Sequence, residues 1–131
     1  MESRLITPEL EKRLAEYPLG SQDGKGKSAM CVAVFHIGRI RWYVLEGGRE
    51  GEDFILYCIA CGMAETEYGY ASVREMEAIE VDGGKFGIPM KFKVENLHRY
   101  TPRPIGEVAD EELQEFLSRF EEDLSPFHNM R

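Results

Sequence analysis

Between Ala29 and Ala60, apolar runs alternate with turn signals at intervals too short for helices, and this constrains the fold more than any other part of the chain. Ala29 to Ile37 is an apolar, β-branched stretch, too short and too rich in valine to favour a helix. Gly38-Arg39 follows as a two-residue link with glycine first, which suits a type II′ hairpin. The returning run, Ile40 to Glu46, alternates: Ile40, Trp42 and Val44 point one way, Arg41, Tyr43 and Leu45 the other. A polar, glycine-rich stretch from Gly47 to Asp53 reads as a loop into a third strand, Phe54 to Ala60. Sequential strands with short links pair antiparallel, as a meander.

Helices flank these strands in the chain. Thr7 suits an N-cap, Pro8 the first helical position, and Glu9 and Glu11 the positive end of the helix dipole. Leu10, Leu14 and Tyr17 then form one apolar stripe, which Pro18 ends. Ser72-Val73-Arg74-Glu75 has the pattern of a capping box and opens a short helix with Val73 and Met76 inward. Met90, Phe92 and Val94 alternate with Lys91, Lys93 and Glu95 as a strand with one wet face. In the last helix, capped by Asp110, the residues Leu113, Phe116, Leu117, Phe120 and Leu124 make a continuous stripe.

These elements predict an α+β fold: an antiparallel β-meander of four to five strands, with the N-terminal and C-terminal helices packed on one face and a short inserted helix. The 131 residues fit one domain. Its core spans about residues 5–124, with a flexible loop at 19–28 and a frayed tail at 125–131. No apolar run reaches the ~20 residues that a membrane-spanning helix needs. The first residues lack the apolar centre of a secretory signal, and three cysteines do not make a disulfide framework. The expected location is the cytoplasm.

The net charge of −8 is concentrated. From Glu107 to Leu124 there are eight acids and one base, Arg119. The rest of the chain is close to neutral, so a general nucleic-acid-binding surface is not expected. Lys91, Lys93, His98, Arg99 and Arg103 are candidates for a modest basic strip, although a solvated strand face explains them as well.

Several motifs are weighed against their structural explanations. Gly26-Lys27-Ser28 matches the end of a phosphate-binding loop. However, Ser21 stands where the leading glycine belongs, and the segment follows a helix instead of a strand. Cys58-Ile59-Ala60-Cys61 has the spacing of half a zinc site, but it lacks a second pair, and alternate strand positions send its two thiols to opposite sides. Core packing is the better reading, and no metal or cofactor is implied. His36 sits in an apolar run as a core histidine. Glu65 and Glu67 share one face of an extended segment, with Tyr68 and Tyr70 on the other. Trp42, Tyr43, Tyr57, Tyr68 and Tyr70 should occupy neighbouring strands, mostly as core.

Leu5-x-Thr7 with its helix, Trp42-Tyr43-x-x-Glu46, and Gly62-x-x-x-x-Glu67-x-Gly69-Tyr70-x-Ser72-x-x-Glu75 occur in that order. Over residues 5–95 this resembles a bacterial domain-of-unknown-function family, the one numbered two-nine-five-eight, common on plasmids and conjugative elements. The resemblance implies a mobile-element setting and no particular chemistry. The chain departs from the family pattern at Lys91-Phe92-Lys93, where an acidic run is expected after the step Ile88-Pro89-Met90.

Two function classes follow. The leading one is an accessory or protein-interaction domain whose acidic helix (Glu111, Glu112, Glu115, Glu122) faces a protein partner. A narrower form has these carboxylates imitate the phosphate row of DNA. The rival is a small enzyme or ligand-binding domain with a cleft around Trp42, Glu46, Glu65, Glu67 and Tyr70.

Overall fold

The computed structural model describes residues 3–119, with Lys85 and Phe86 described by their backbone alone. Along the chain run α1 (Pro8–Leu14), a 3₁₀ turn (Gly26–Ser28), β1 (Met30–Cys31), β2 (Ala33–Ile37), β3 (Ile40–Glu50), β4 (Asp53–Cys61) and β5 (Glu67–Ser72). After these come α2 (Val73–Ala78), β6 (Glu80–Asp82), β7 (Lys91–Lys93), β8 (Glu95–Asn96), β9 (Arg103–Pro104) and a final helix, α3, over residues 111–119. The fold is α+β. Its centre is a five-stranded antiparallel sheet in the order β5-β4-β3-β2-β8, and two small two-stranded sheets pair β1 with β9 and β6 with β7.

The hairpin signal at Gly38-Arg39 holds: Ile37 pairs with Ile40, and Gly38 takes a positive φ of 55°. The stretch from Gly47 to Asp53 differs from its reading as a loop. Strand β3 continues through it to Glu50 and turns only at Gly51-Glu52. The glycine there serves packing, because a Cβ on Gly47 would stand 2.9 Å from the side chains of Phe54 and Leu56. The register shifts between Val44 and Glu46, so Leu45 and Glu46 come to face the same side. The expected strand from Met90 to Val94 is also divided. Residues Lys91–Lys93 pair with β6, Val94 is buried, and Glu95–Asn96 pair with β2.

The helix caps form as their residues dictate. Thr7 accepts from the Leu10 amide (3.1 Å), Ser72 from Glu75 (3.1 Å) and Asp110 from Leu113 (3.2 Å). One expectation is overturned: the terminal helices lie on opposite faces of the sheet. Leu10 and Leu14 of α1 join Phe35, Val44, Leu56 and Cys58, with Val73 and Met76 of α2, in one cluster. Leu113 and Leu117 of α3 join Val34, Tyr43, Leu45 and Ile59 in another. The strands are apolar at both parities, so each face has to be covered. Phe120, Leu124 and the tail 125–131 lie outside the described residues.

Candidate functional site

The five residues of the expected cleft are divided between the two faces. Trp42 packs against the α1-side cluster. It pairs with Ala60, which pairs with Glu67, so Trp42 and Glu67 share that face. Glu46 pairs with Tyr57, which pairs with Tyr70, and these share the α3 face. Glu65 is exposed in the connection before β5. The expected carboxylates therefore do not converge on one cleft.

Glu46 has a structural task that explains it. It is only 2% exposed, and its carboxylate accepts from the amides of Gly20 (2.6 Å) and Gln22 (2.8 Å). Gln22, also buried, donates to the carbonyls of Met30 and Leu45 and accepts from the Met30 amide. The glycine- and lysine-rich segment, read as a flexible loop, is thus tied to β3 by hydrogen bonds to buried groups. The carboxylate that secures it lies more than twenty residues away in sequence, so the local composition carried no sign of it.

The cysteines divide likewise: Cys58 lies in the α1-side cluster and Cys61 in the α3-side cluster. Burial pushes the Cys61 and Cys31 thiols up to about 11 and raises Cys58 as well. Among the described residues, no three His, Cys, Asp or Glu side chains are grouped so as to hold a metal ion. The residues of the suggested basic strip are spread over separate elements, with Lys91 and Lys93 on β7, His98 and Arg99 in a turn and Arg103 on β9.

The start of α3 is fastened to the sheet by a polar clasp that the charge pattern did not reveal. Arg41 donates to Asp110 through two nitrogens, at 3.0 and 2.7 Å, and the Tyr43 hydroxyl donates to the same oxygen. Burial acts to raise the Asp110 carboxyl, but the bonds from Tyr43 and Arg41 outweigh it and hold that carboxyl below its ordinary range. Burial and the Asp110 carboxylate together push the Tyr43 phenol up. Glu112 accepts from the Gly62 amide (3.0 Å), the Thr66 hydroxyl and Arg41 (3.4 Å), and the bonds from Thr66 and then Gly62 hold its carboxyl below the ordinary range. Gly62 is required for this approach: its φ is +92°, and a Cβ there would stand 2.1 Å from the Arg39 carbonyl oxygen.

The acidic face is accordingly reduced. Glu111 and Glu115 are exposed, but Glu112 is turned onto the sheet, and Glu122 lies outside the described residues. The row of carboxylates that would imitate DNA phosphates is interrupted at its second member.

Beside α3, the sheet presents aromatic rings. Tyr57 stacks on Tyr68 (centroids 5.8 Å apart, 10° between planes) and lies 4.9 Å from Tyr70, while Tyr68 meets Phe116 of α3 at 5.4 Å. Tyr70, 71% exposed, ends the row. Burial raises the Tyr57 phenol first, followed by Tyr70 and the nearby carboxylates Asp23 and Glu46. The row combines apolar area, polar hydroxyls and neighbouring negative charge.

A cleft of about 400 Å³ lies elsewhere, between the segment entering α1, the β3–β4 turn and α2. Several of its charged side chains already have partners: Arg49 pairs with Glu11 (2.8 and 3.0 Å), Glu77 accepts from the Ser3 hydroxyl and the Arg4 amide, and Asp53 accepts from the Ser72 hydroxyl and the Arg74 amide.

No family model, curated protein or solved structure matches the chain. Several of the motif residues singled out in the sequence have structural tasks here. Gly62 allows the clasp, Glu46 ties down a loop, and Ser72 caps α2.

Proposed function

We propose that this chain is a protein-binding accessory domain, and that its binding face is the aromatic row of β4, β5 and α3 with the exposed acids of α3. The single observation that carries this reading is the exposure of Tyr70. A tyrosine with most of its surface in water, tilted at 52° against Tyr57 at the end of a row of partly buried rings, is well suited to a contact. Glu111 and Glu115 on α3 add negative charge, which favours a partner with basic side chains. The resemblance to a family of plasmids and conjugative elements supports a mobile-element setting for that partner.

The test is photocrosslinking in a native host with a benzophenone amino acid at position 70, alongside capture by the unaltered chain and by Tyr70→Ala. The expected outcome is a crosslinked protein whose capture is lost with Tyr70→Ala, while the variant keeps its circular dichroism and Tm. Capture of the same protein at equal yield by the folded variant would overturn the proposed face.

A further inference from the structure

The two edges of the central sheet are treated differently. At one edge, β8 is only two residues long. It is bordered by the segment that precedes α1, since Asn96 donates to the Leu5 carbonyl (2.9 Å) and Arg4 donates to the carbonyl of Val94. At the other edge, β5 has six residues, all in continuous register with β4 from Ala60↔Glu67 to Ile55↔Ser72. Among the described residues no strand pairs with its outer side.

Exposed sheet edges invite pairing, and proteins usually blunt them with lysine, proline, a bulge or shortness. Strand β5 has none of these, and its one charge is the exposed Glu67 at its first position. Its sequence is Glu-Tyr-Gly-Tyr-Ala-Ser, its ladder has no register shift, and it is about 20 Å long at the rise of an extended chain. At its middle, Gly69 carries no side chain, and the space where one would stand is open on the face opposite Tyr68 and Tyr70. Tyr68 and Tyr70 lie on the same side as α3. A strand laid along this edge would bring its own alternate side chains beside those rings.

We infer that β5 receives an extended, basic segment of a partner protein as an added strand, with arginine or lysine at alternate positions directed to the α3 side. This rests on the interaction face proposed above and specifies how it is used. Backbone hydrogen bonds to the open edge supply the register. The guanidinium or ammonium groups find tyrosine faces, which attract cations. The exposed carboxylates Glu111 and Glu115, against the single Arg119 on the described part of α3, add negative charge to that side of the sheet. The chain's charge of −8 disfavours a second copy of itself and favours a basic occupant.

The experiment uses the whole chain and three synthetic peptides of equal length. One alternates arginine and valine, one has the same side chains with alternate backbone nitrogens methylated, and one alternates threonine and valine. Binding is followed by fluorescence anisotropy, and amide exchange of residues 67–72 by NMR. The arginine–valine peptide should bind and slow exchange in β5. Methylation and loss of the arginines should each weaken binding by about tenfold or more, and Tyr70→Ala should weaken the arginine–valine peptide.

Equal affinity for the methylated peptide would overturn strand addition. If Tyr70→Ala still weakened both peptides, the aromatic face would survive that result. Equal affinity for the threonine–valine peptide would overturn the basic requirement. If no peptide bound, the added-strand mechanism would be overturned, and photocrosslinking at position 70 would separately decide the face. Slow β5 exchange in the chain alone, together with a dimer in sedimentation, would assign the edge to a second copy instead.

Discussion

The two faces of the central sheet are held by different physics. On the α1 side, contact is almost wholly apolar: Leu5, Leu10, Leu14, Phe35, Leu56 and Met76 close over one another with little access to water. On the α3 side, a smaller apolar patch around Ile59, Leu113 and Leu117 is supplemented by the Arg41–Asp110–Tyr43 clasp and then gives way to the partly exposed rings of Tyr57, Tyr68 and Tyr70. Apolar burial is non-directional and insensitive to pH, whereas the clasp depends on geometry and on ionisation. The face that gives way to partly exposed rings is also the one proposed to receive a partner.

Substitutions can break this contrast in graded steps. The largest effect is expected from Phe35→Ala, which empties a fully buried site on the α1 face and should cost about 4 kcal/mol, measured by urea unfolding. Asp110→Ala comes next, at about 2–3 kcal/mol, because it leaves Arg41, the Tyr43 hydroxyl and the Leu113 amide without their acceptor. If that variant unfolds like the parent, the clasp contributes nothing and Leu113 and Leu117 hold α3 unaided.

The clasp also predicts a pH limb. Asp110 titrates lower in the folded chain than in the unfolded one. Its contribution is therefore complete above the unfolded carboxyl value of about 4 and is lost as pH falls through the lower, folded value. Unfolding from pH 7 down to pH 2 should show this loss, and Asp110→Asn should flatten it. Phe35→Ala should instead lower stability by a similar amount at every pH.

Glu46→Ala should cost about 2 kcal/mol, since it strands the amides of Gly20 and Gln22. Hydrogen exchange should quicken at residues 20 and 22 first. The smallest change in stability is expected from Tyr70→Ala, within about 0.5 kcal/mol, although partner capture should be lost. A large loss of stability there would mean that the ring supports the sheet and is not reserved for a partner.

Much of the fold was legible locally. Each helix start was announced by its cap and the residues after it, and the first hairpin by Gly38-Arg39 between apolar runs. These signals depend on neighbours within a turn or two. The errors came where a residue's meaning was set from far away in the chain. Gly47 looked like loop material because its packing against Phe54 and Leu56 cannot be seen from the sequence around it. Glu112 looked like solvated charge because Gly62 and Thr66, its partners, lie some fifty residues earlier.

Of the candidate site, Tyr57, Tyr68, Tyr70 and the exposed acids Glu111 and Glu115 were legible as residues, but nothing local told that the rings would line the face that α3 covers. The sequence by itself determined the α+β class, the antiparallel meander of β2, β3 and β4 and the helix caps, because periodicity, turn residues and capping act over short range. The tertiary structure decided that α1 and α3 take opposite faces, that Glu46 and Glu112 spend their charge on backbone amides, and that β5 ends the sheet with no described strand beyond it. Those outcomes depend on which apolar surfaces meet and which buried donors need an acceptor, and both are settled only when distant segments pack together.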